Sequence, residues 1–444
     1  MASSYLKRTF GTPTDQNKWT FSAWVKLAQV TSEAIFFSAG TNASNNVDGI
    51  KTDNNQLRIF SYGGSYVYHL KTTRLLRDVG AFYHIQVAYD SDQSTDSNRI
   101  KVYINGLQET SFSTSTYPSS GANPTHINLN GREHIIGADT GGVNNTIEGL
   151  ITHVHFADGQ AYAPTVFGEF DSVSGIWKAK TAPSVTYGNN GFFLKFENSG
   201  ALGTDSSGNS NTFTVVGTPT QNIDTPDNNF ATLNSLQGAI ASGLTLINGS
   251  LTIDGSPSST AWRSLPATLG VSTGRWYYEV KVKNKADNVK VGIVDVDQAQ
   301  QLNGYFNNLS RGYSYNSSGE KSNNNSSVSY GNSYTTNDII GVAIDLDNGK
   351  LYFSKNGTYQ NSGDPTSGST GTGSAYDISS GYTYAPIVAT YQPNDKLECN
   401  FGQGYFGTTA VASANADDGG LGIMEYDVPA NYRVLCTKNI KDYG

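Results

Sequence analysis

At 444 residues the chain is too long for one ordinary domain and suits two or three. Its 37% hydrophobic residues can fill cores, but with only 15% charged residues the surface must be solvated by neutral groups; 48 glycines and abundant Asn, Ser and Thr do this, and they favour turns over helix interiors. A net charge of −8, with no basic cluster longer than Lys7 and Arg8, excludes nucleic-acid binding by phosphate neutralisation, and no apolar run nears the roughly 20 residues of a bilayer-spanning helix.

The N-terminal Met-Ala-Ser-Ser-Tyr-Leu-Lys-Arg lacks the apolar stretch of a secretory signal, so none is expected. Strand patterning then starts at once. Trp19, Phe21, Ala23, Val25 and Leu27 share one face, with Thr20, Ser22 and Lys26 opposite and Trp24 as the exception on the polar side. Tyr83, Ile85, Val87 and Tyr89 alternate in the same way. The run 100–104 ends in Asn105–Gly106, a strong two-residue hairpin signal. Leu150, Thr152, Val154 and Phe156 predict another strand, closed by Asp158–Gly159. No window holds a 3.6-residue period over three turns, so this half reads as a sandwich or jelly roll.

A Gly/Asn/Ser/Thr-rich stretch follows from about Pro183 to Asn234, broken by one apolar strand at 192–196. Within it, Asp205-Ser-Ser-Gly-Asn reads either as a cation-binding loop or as a hydrogen-bonded turn. From about Ala241 strands resume. Trp276, Tyr278, Val280 and Val282 alternate with Arg275, Tyr277, Glu279 and Lys281; Val289, Val291 and Ile293 follow, then Ile340, Val342, Ile344 and Leu346. Asp347-Asn-Gly349 and Asn356-Gly357 bracket the strand 351–354 as hairpin turns. Two low-complexity stretches, 316–330 and 362–374, read as surface loops. The expected fold is all-β, two antiparallel β-sandwich (jelly-roll type) domains in tandem: 1–200, a connector at 201–240, and 241–444. Cys399 and Cys436 are too few for a disulfide scaffold, and read as one bridge or as two buried thiols.

At this point a resemblance becomes specific. Gly274-Arg-Trp-Tyr-Tyr-Glu-Val280, Val291-Gly-Ile293, the run from Asp338 to Gly357, Tyr384-Ala-Pro-Ile387 and Cys399-Asn-Phe-Gly402 together resemble a SPRY domain over about 241–410. The first part resembles a laminin-G-like, concanavalin-type jelly roll on Trp19 to Lys26, Tyr83 to Tyr89, Lys101-Val-Tyr-Ile-Asn-Gly106 and Ile147 to Asp158. The whole arrangement, with Gly191-Phe-Phe-Leu-Lys-Phe-Glu197 and Asp227-Asn-Asn-Phe-Ala-Thr-Leu-Asn234 between the domains, is similar to tail and fibre-like proteins of marine bacteriophages. The resemblance implies a virion surface protein, made in the host cytoplasm and released by lysis, which reconciles an extracellular-looking composition with no export signal. Members of that group often continue past the segment matching Leu435-Cys-Thr-Lys-Asn439; ending at Gly444 favours a compact tip, decoration or adaptor over a long fibre.

Enzymatic readings fare poorly. Concanavalin-type hydrolases carry paired carboxylates on one strand, at a spacing such as Glu-x-Asp-x-x-Glu, whereas Glu109, Glu133, Glu148 and Glu169 are scattered singly. His153 and His155, two apart on one strand, present a shared metal site or simply a polar face, with only Asp158 nearby as a third ligand. The loop from Asp345 fails the calcium-hand test because its sixth position is Lys350 and its twelfth Asn356. There is no nucleophile elbow and no phosphate-cradling loop. No catalytic residue, metal or cofactor is expected.

Binding remains. Tyr62, Tyr66 and Tyr68 flank a Gly–Gly turn, and Tyr305, Phe306, Tyr313 and Tyr315 form a second aromatic group. Aromatic faces with Asn and Asp neighbours suit sugars, since the ring meets C–H faces and the polar groups take hydroxyls; the competing reading is strand packing. The expected function is non-enzymatic adhesion to host cell-surface glycan or receptor, the alternative a structural connector gripping other virion subunits. One shallow sugar site holds at about −4 kcal/mol. Adhesion therefore requires many linked copies, and a homo-oligomer is expected.

Overall fold

A computed structural model describes residues 4–29, 33–42, 46–141, 146–236, 244–254, 260–300, 302 and 304–444. The chain divides into two compact units, Met1–Gln221 and Asn222–Gly444. Both are built almost wholly from antiparallel strands.

In the first unit, eight strands form one sheet in the order Phe112–Thr116, Tyr66–Leu75, Gln56–Gly63, Asn46–Asp53, Glu33–Asn42, Glu133–Ile136, Tyr5–Thr9, Thr214–Val216. Six form the other, in the order Phe192–Leu194, Gly149–Asp158, Lys18–Leu27, Tyr83–Asp90, Ile100–Ile104, Leu107–Gln108. The alternation in Lys18–Leu27 decides which face is inside. Trp19, Phe21, Ala23, Val25 and Leu27 enter a core shared with Phe37, Ile50, Ile59 and Leu70 from the larger sheet, each large side chain contributing roughly 1.5–3 kcal/mol by leaving water. Register pairs Trp19 with Tyr89, and their rings stack at 5.2 Å. At the Asn105–Gly106 turn both residues have positive φ, 50° and 77°, which suits the twist of a two-residue hairpin.

The polar side of Lys18–Leu27 is not solvated as alternation alone implies. Thr20, Ser22, Trp24 and Lys26 are all buried, Lys26 against Phe82 and the other three beneath residues 160–187, a strap that includes the hairpin Gly168–Phe170 and Trp177–Ala179. Trp24 is therefore no exception: it packs with Phe82, Trp177 and Ala179 in a small second core. Polar neighbours bind the strap by hydrogen bonds. Thr20 Oγ1 donates to Gln160 O and accepts from Tyr162 N–H at 2.7 and 2.8 Å, and Gln86 Nε2 donates to Tyr162 O at 2.7 Å.

Residues read as the connector 201–240 are divided between the units. Phe213 joins the first core and Thr214–Val216 pairs with Tyr5–Thr9. Phe230, Ala231 and Leu233 join cores of the second unit. The few apolar residues in this polar stretch are enough to anchor it, while its Asn and Asp side chains bond the backbone, as Asp205 and Asp224 do.

In the second unit the larger sheet runs Leu246–Ile247, Thr252–Asp254, Lys396–Asn400, Arg275–Asn284, Ile339–Asp345, Lys350–Lys355, Thr358–Tyr359, with Tyr376–Asp377 and Arg433–Val434 pairing beside it. The smaller runs Arg263–Pro266, Tyr384–Thr390, Val289–Asp295, Gly312–Asn316, Glu320–Asn323, Ser326–Ser329. Trp276, Tyr278, Val280 and Val282 meet Val289, Val291 and Ile293 in the core between them. The opposite side of Arg275–Asn284 is covered too. Tyr277 packs with Ala343, Tyr352, Met424, Tyr432, Val434 and Cys436, so residues beyond 410 close that face. Cys399 and Cys436 are buried free thiols in separate clusters.

The stretch 316–330, read as a loop, is instead an edge hairpin of strands Glu320–Asn323 and Ser326–Ser329. Asn324 and Asn325 supply its turn at φ 48° and 61°, which Asn tolerates better than most residues. The two strands are largely exposed, and Ser322, buried among them, bonds the Ser327 hydroxyl at 2.6 Å.

Candidate functional site

Of the three tyrosines singled out in the first unit, two reach the surface. Strands Gln56–Gly63 and Tyr66–Leu75 meet at the glycine turn, and register shifts between Ser61 and Tyr62, so Tyr62 opposes Tyr66 while Ser61 opposes Tyr68. This bulge puts Tyr66 and Tyr68 on opposite faces. Tyr66 is 42% exposed and its ring lies 4.8 Å from that of Tyr62. Tyr68 is a core residue against Tyr89, which removes it from any surface site.

Polar groups converge on the exposed pair. The Tyr66 ring stacks on His69 at 4.4 Å. Arg58 donates from Nε to His69 Nε2 at 3.0 Å and from Nη2 to the Tyr66 hydroxyl at 2.8 Å, and its guanidinium lies over Phe60. Asp53 accepts from Arg58 and pairs with Lys71 at 3.2 Å. Burial, then the Arg58 charge, pushes His69 below its ordinary value, which keeps Nε2 available as an acceptor at neutral pH. The result is a fixed face with one stacking ring, guanidinium and ammonium donors and a carboxylate acceptor. Arg58, His69, Asp53 and Lys71 carry no motif; only knowing which strands are neighbours assembles them.

The second aromatic group disperses. Phe306 and Tyr313 are buried, the first with Val294, Ile387 and Ala389, the second between Tyr376 and Tyr384; Tyr315 is buried against Tyr334 and Phe353. Neither Phe306 nor Tyr313 can touch a ligand, because the turn after Val296–Ala299 folds Phe306 onto the outer side of the sheet and strand Gly312–Asn316 turns Tyr313 into the core. Tyr305 alone remains exposed, at 43%. It stands beside three residues that sequence reading missed. Trp262 lies 5.5 Å from Tyr305 and 5.2 Å from Tyr391, ring to ring, and the Lys290 ammonium sits 4.5 Å over Trp262.

Other candidates resolve as structural groups. His153 has φ 48° at a bulge in Gly149–Asp158, while His155 is buried, stacked on Phe193 at 3.8 Å and bonded to the Tyr187 hydroxyl. Asp205 takes donors from Phe193, Ser207 and Asn211, as a turn-forming carboxylate does. Glu109 pairs with Arg74, Glu133 with Lys7, and Glu169 with Lys178, at 3.0, 3.0 and 3.4 Å. Among the described residues no three His, Cys, Asp or Glu side chains are grouped to hold a metal.

The fold defines a tandem β-sandwich protein whose first domain carries this exposed polar and aromatic face. Residues 2–166 match the family model described as the concanavalin A-like lectin/glucanases superfamily, and residues 275–404 match the SPRY domain. The chain thus carries an N-terminal laminin-G/concanavalin-like domain and a C-terminal SPRY domain. The ATP-dependent RNA helicase DDX1 of Xenopus laevis is 32% identical over 96 residues, 22% of this chain and 12% of that protein. A probable ATP-dependent RNA helicase ddx1 of Dictyostelium discoideum is 28% identical over 144 residues, 32% of this chain and 16% of that one. The chain therefore spans less than a fifth of the length of either relative. Similar solved structures include the SPRY domain of human HERC1, 19% identical, covering 35% of this chain and 91% of that one at a TM-score of 0.28. The SAP-like pentraxin of Limulus polyphemus is 14% identical, covering 42% and 89% at a TM-score of 0.29.

Proposed function

We propose that this chain is a non-enzymatic bacteriophage virion surface protein that adheres to host saccharide through the exposed face of its first domain. The observation that carries the reading is the Arg58–His69–Tyr66 network, which holds a stacking ring and charged donors rigidly before any ligand arrives. Preorganised groups lose little entropy on binding. The virion context and the location at the particle surface rest on the resemblance of the sequence to tail and fibre-like proteins, and a homo-oligomeric state follows from adhesion itself. Multiple copies supply the avidity that one shallow site lacks.

A second reading, a structural connector between virion subunits, is favoured by one feature. The tip of the strap hairpin exposes Phe170, Val173 and Ile176, with Val173 94% exposed, an apolar knob suited to a protein partner. Binding of the full chain to immobilised host polysaccharide separates the two. Tyr66→Ala, at an exposed position, is expected to weaken that binding at least ten-fold without changing thermal stability. Retention of the chain only by other virion subunits, lost on Val173→Asp and indifferent to Tyr66→Ala, would replace adhesion with the connector role.

A further inference from the structure

The outer side of the smaller sheet in the second unit holds a cation with no anion. Lys290, on strand Val289–Asp295, is only 9% exposed. Its ammonium donates to Asn307 Oδ1 at 2.8 Å, lies 4.5 Å from the Trp262 ring and 5.7 Å from that of Tyr305. Among the described residues it forms no ion pair, and Glu320 acts on it only as a charge that raises its pKa. A desolvated ammonium in this position is costly unless paired. One amide oxygen and the face of an indole compensate in part, and among the described residues two of its three N–H donors have no hydrogen-bond acceptor. Burial lowers its pKa to about 8, so it remains mostly charged at neutral pH.

The surroundings select the kind of anion. Tyr305 offers an open ring beside the charge, and Trp262 and Tyr391 extend the aromatic wall. An aromatic surface next to a single recessed ammonium fits a molecule with an apolar C–H face and one carboxylate close to it. Acidic sugars have that form. An acidic peptide side chain offers only a short methylene stem beside its carboxylate, and a bare inorganic anion would leave the ring unused.

We propose that Lys290, Asn307 and Tyr305 form a second binding site, which takes the carboxylate of an acidic saccharide on Lys290 and stacks the sugar ring on Tyr305. It stands on the second unit alone and does not depend on the face formed by Arg58, His69 and Tyr66.

The test is calorimetric titration of the full chain with oligosaccharides of galacturonate, mannuronate and sialate, each beside a neutral sugar of equal length. At least one acidic series is expected to bind, with its neutral counterpart at least ten-fold weaker. Lys290→Met should remove that difference, and Tyr305→Ala should weaken both members of the pair. Asn307→Asp is the variant that separates binding from folding. It places a carboxylate against Lys290, so it should hold or raise thermal stability while abolishing acidic-sugar binding. Tyr66→Ala should leave this binding unchanged. Silence of all three acidic series would overturn the proposal, as would equal binding of an oligoglutamate, or acidic-sugar binding that survives both Lys290→Met and Asn307→Asp.

Discussion

Single buried carboxylates show how a residue can act as a latch. Glu279 is wholly buried on Arg275–Asn284, accepting from the N–H groups of Glu425 and Tyr426 at 2.9 Å and from the Tyr277 hydroxyl at 3.1 Å. It ties the residues beyond 410 to the sheet they cover. Burial raises its pKa from 4.5 to about 7 despite those donors. The folded state therefore binds a proton that the unfolded chain has released, and stability falls as pH rises from about 4.5 to about 7, by roughly 3 kcal/mol. Glu279→Gln should flatten that slope. Urea midpoints of wild type and variant between pH 5 and 7.5 measure it, and parallel slopes would refute the assignment. Glu279 sat in a motif legible in the sequence, yet its burial was not, because alternation marked it as outward-facing.

At the scale of elements, the strap 160–187 converts a solvated sheet face into a second packed layer. Trp177 is its keystone, donating from Nε1 to His84 Nδ1 at 3.1 Å and packing with Trp24 and Phe82. That bond leaves the His84 proton on Nε2, directed at Ser22 Oγ 2.8 Å away. Gly168 lies under the indole so closely that a Cβ there would come within 2.4 Å of Trp177 Cζ2. Gly168→Ala should cost about 1–3 kcal/mol by overpacking, read from the urea midpoint. In the Trp177→Leu background the same substitution should cost less than half as much, since its obstacle has gone; an equal cost in both backgrounds would place the strain elsewhere. Predicted strands were mostly found where alternation put them, in Lys18–Leu27, Tyr83–Asp90 and Arg275–Asn284. The strap escaped notice because its strands are three residues long, too short to show a period.

Across the whole molecule, titratable groups are distributed unevenly. All six histidines lie in the first unit. Burial lowers His84 and His134 to about 3 and His126 to about 4, and pushes His155 down as well. In each case the unfolded chain takes up a proton that the folded one refuses. Stability is therefore present above about pH 6.5 and lost as pH falls, at pH 5 by about 2 kcal/mol for each of His84, His126 and His134. Asp48, raised by burial to about 6, opposes this, as do Glu109 and Glu148, both raised by burial, but with His69 five histidines stand on the other side. The second unit has no histidine, and Glu279 gains stability in acid. Hydrogen exchange on the intact chain should show protection falling in residues 4–221 between pH 7 and 5 while residues 222–444 hold, after correction for intrinsic rates. Uniform loss in both would contradict this division.

What the sequence determined by itself was periodicity and turn chemistry. Two-residue alternation, Asn–Gly turns and a lack of helical period are local properties, and they sufficed for the all-β class and for two domains resembling known sandwiches. What only the tertiary structure decided was which faces meet water. Tyr68, Phe306 and Tyr313 carry the same side chains as surface aromatics, but a bulge and the covering layers turned them inward. Arg58 with His69, and Lys290 with Trp262, come from strands or segments apart in the chain. Alternation states that a residue faces one of two sides; it holds no information about what, if anything, lies on that side.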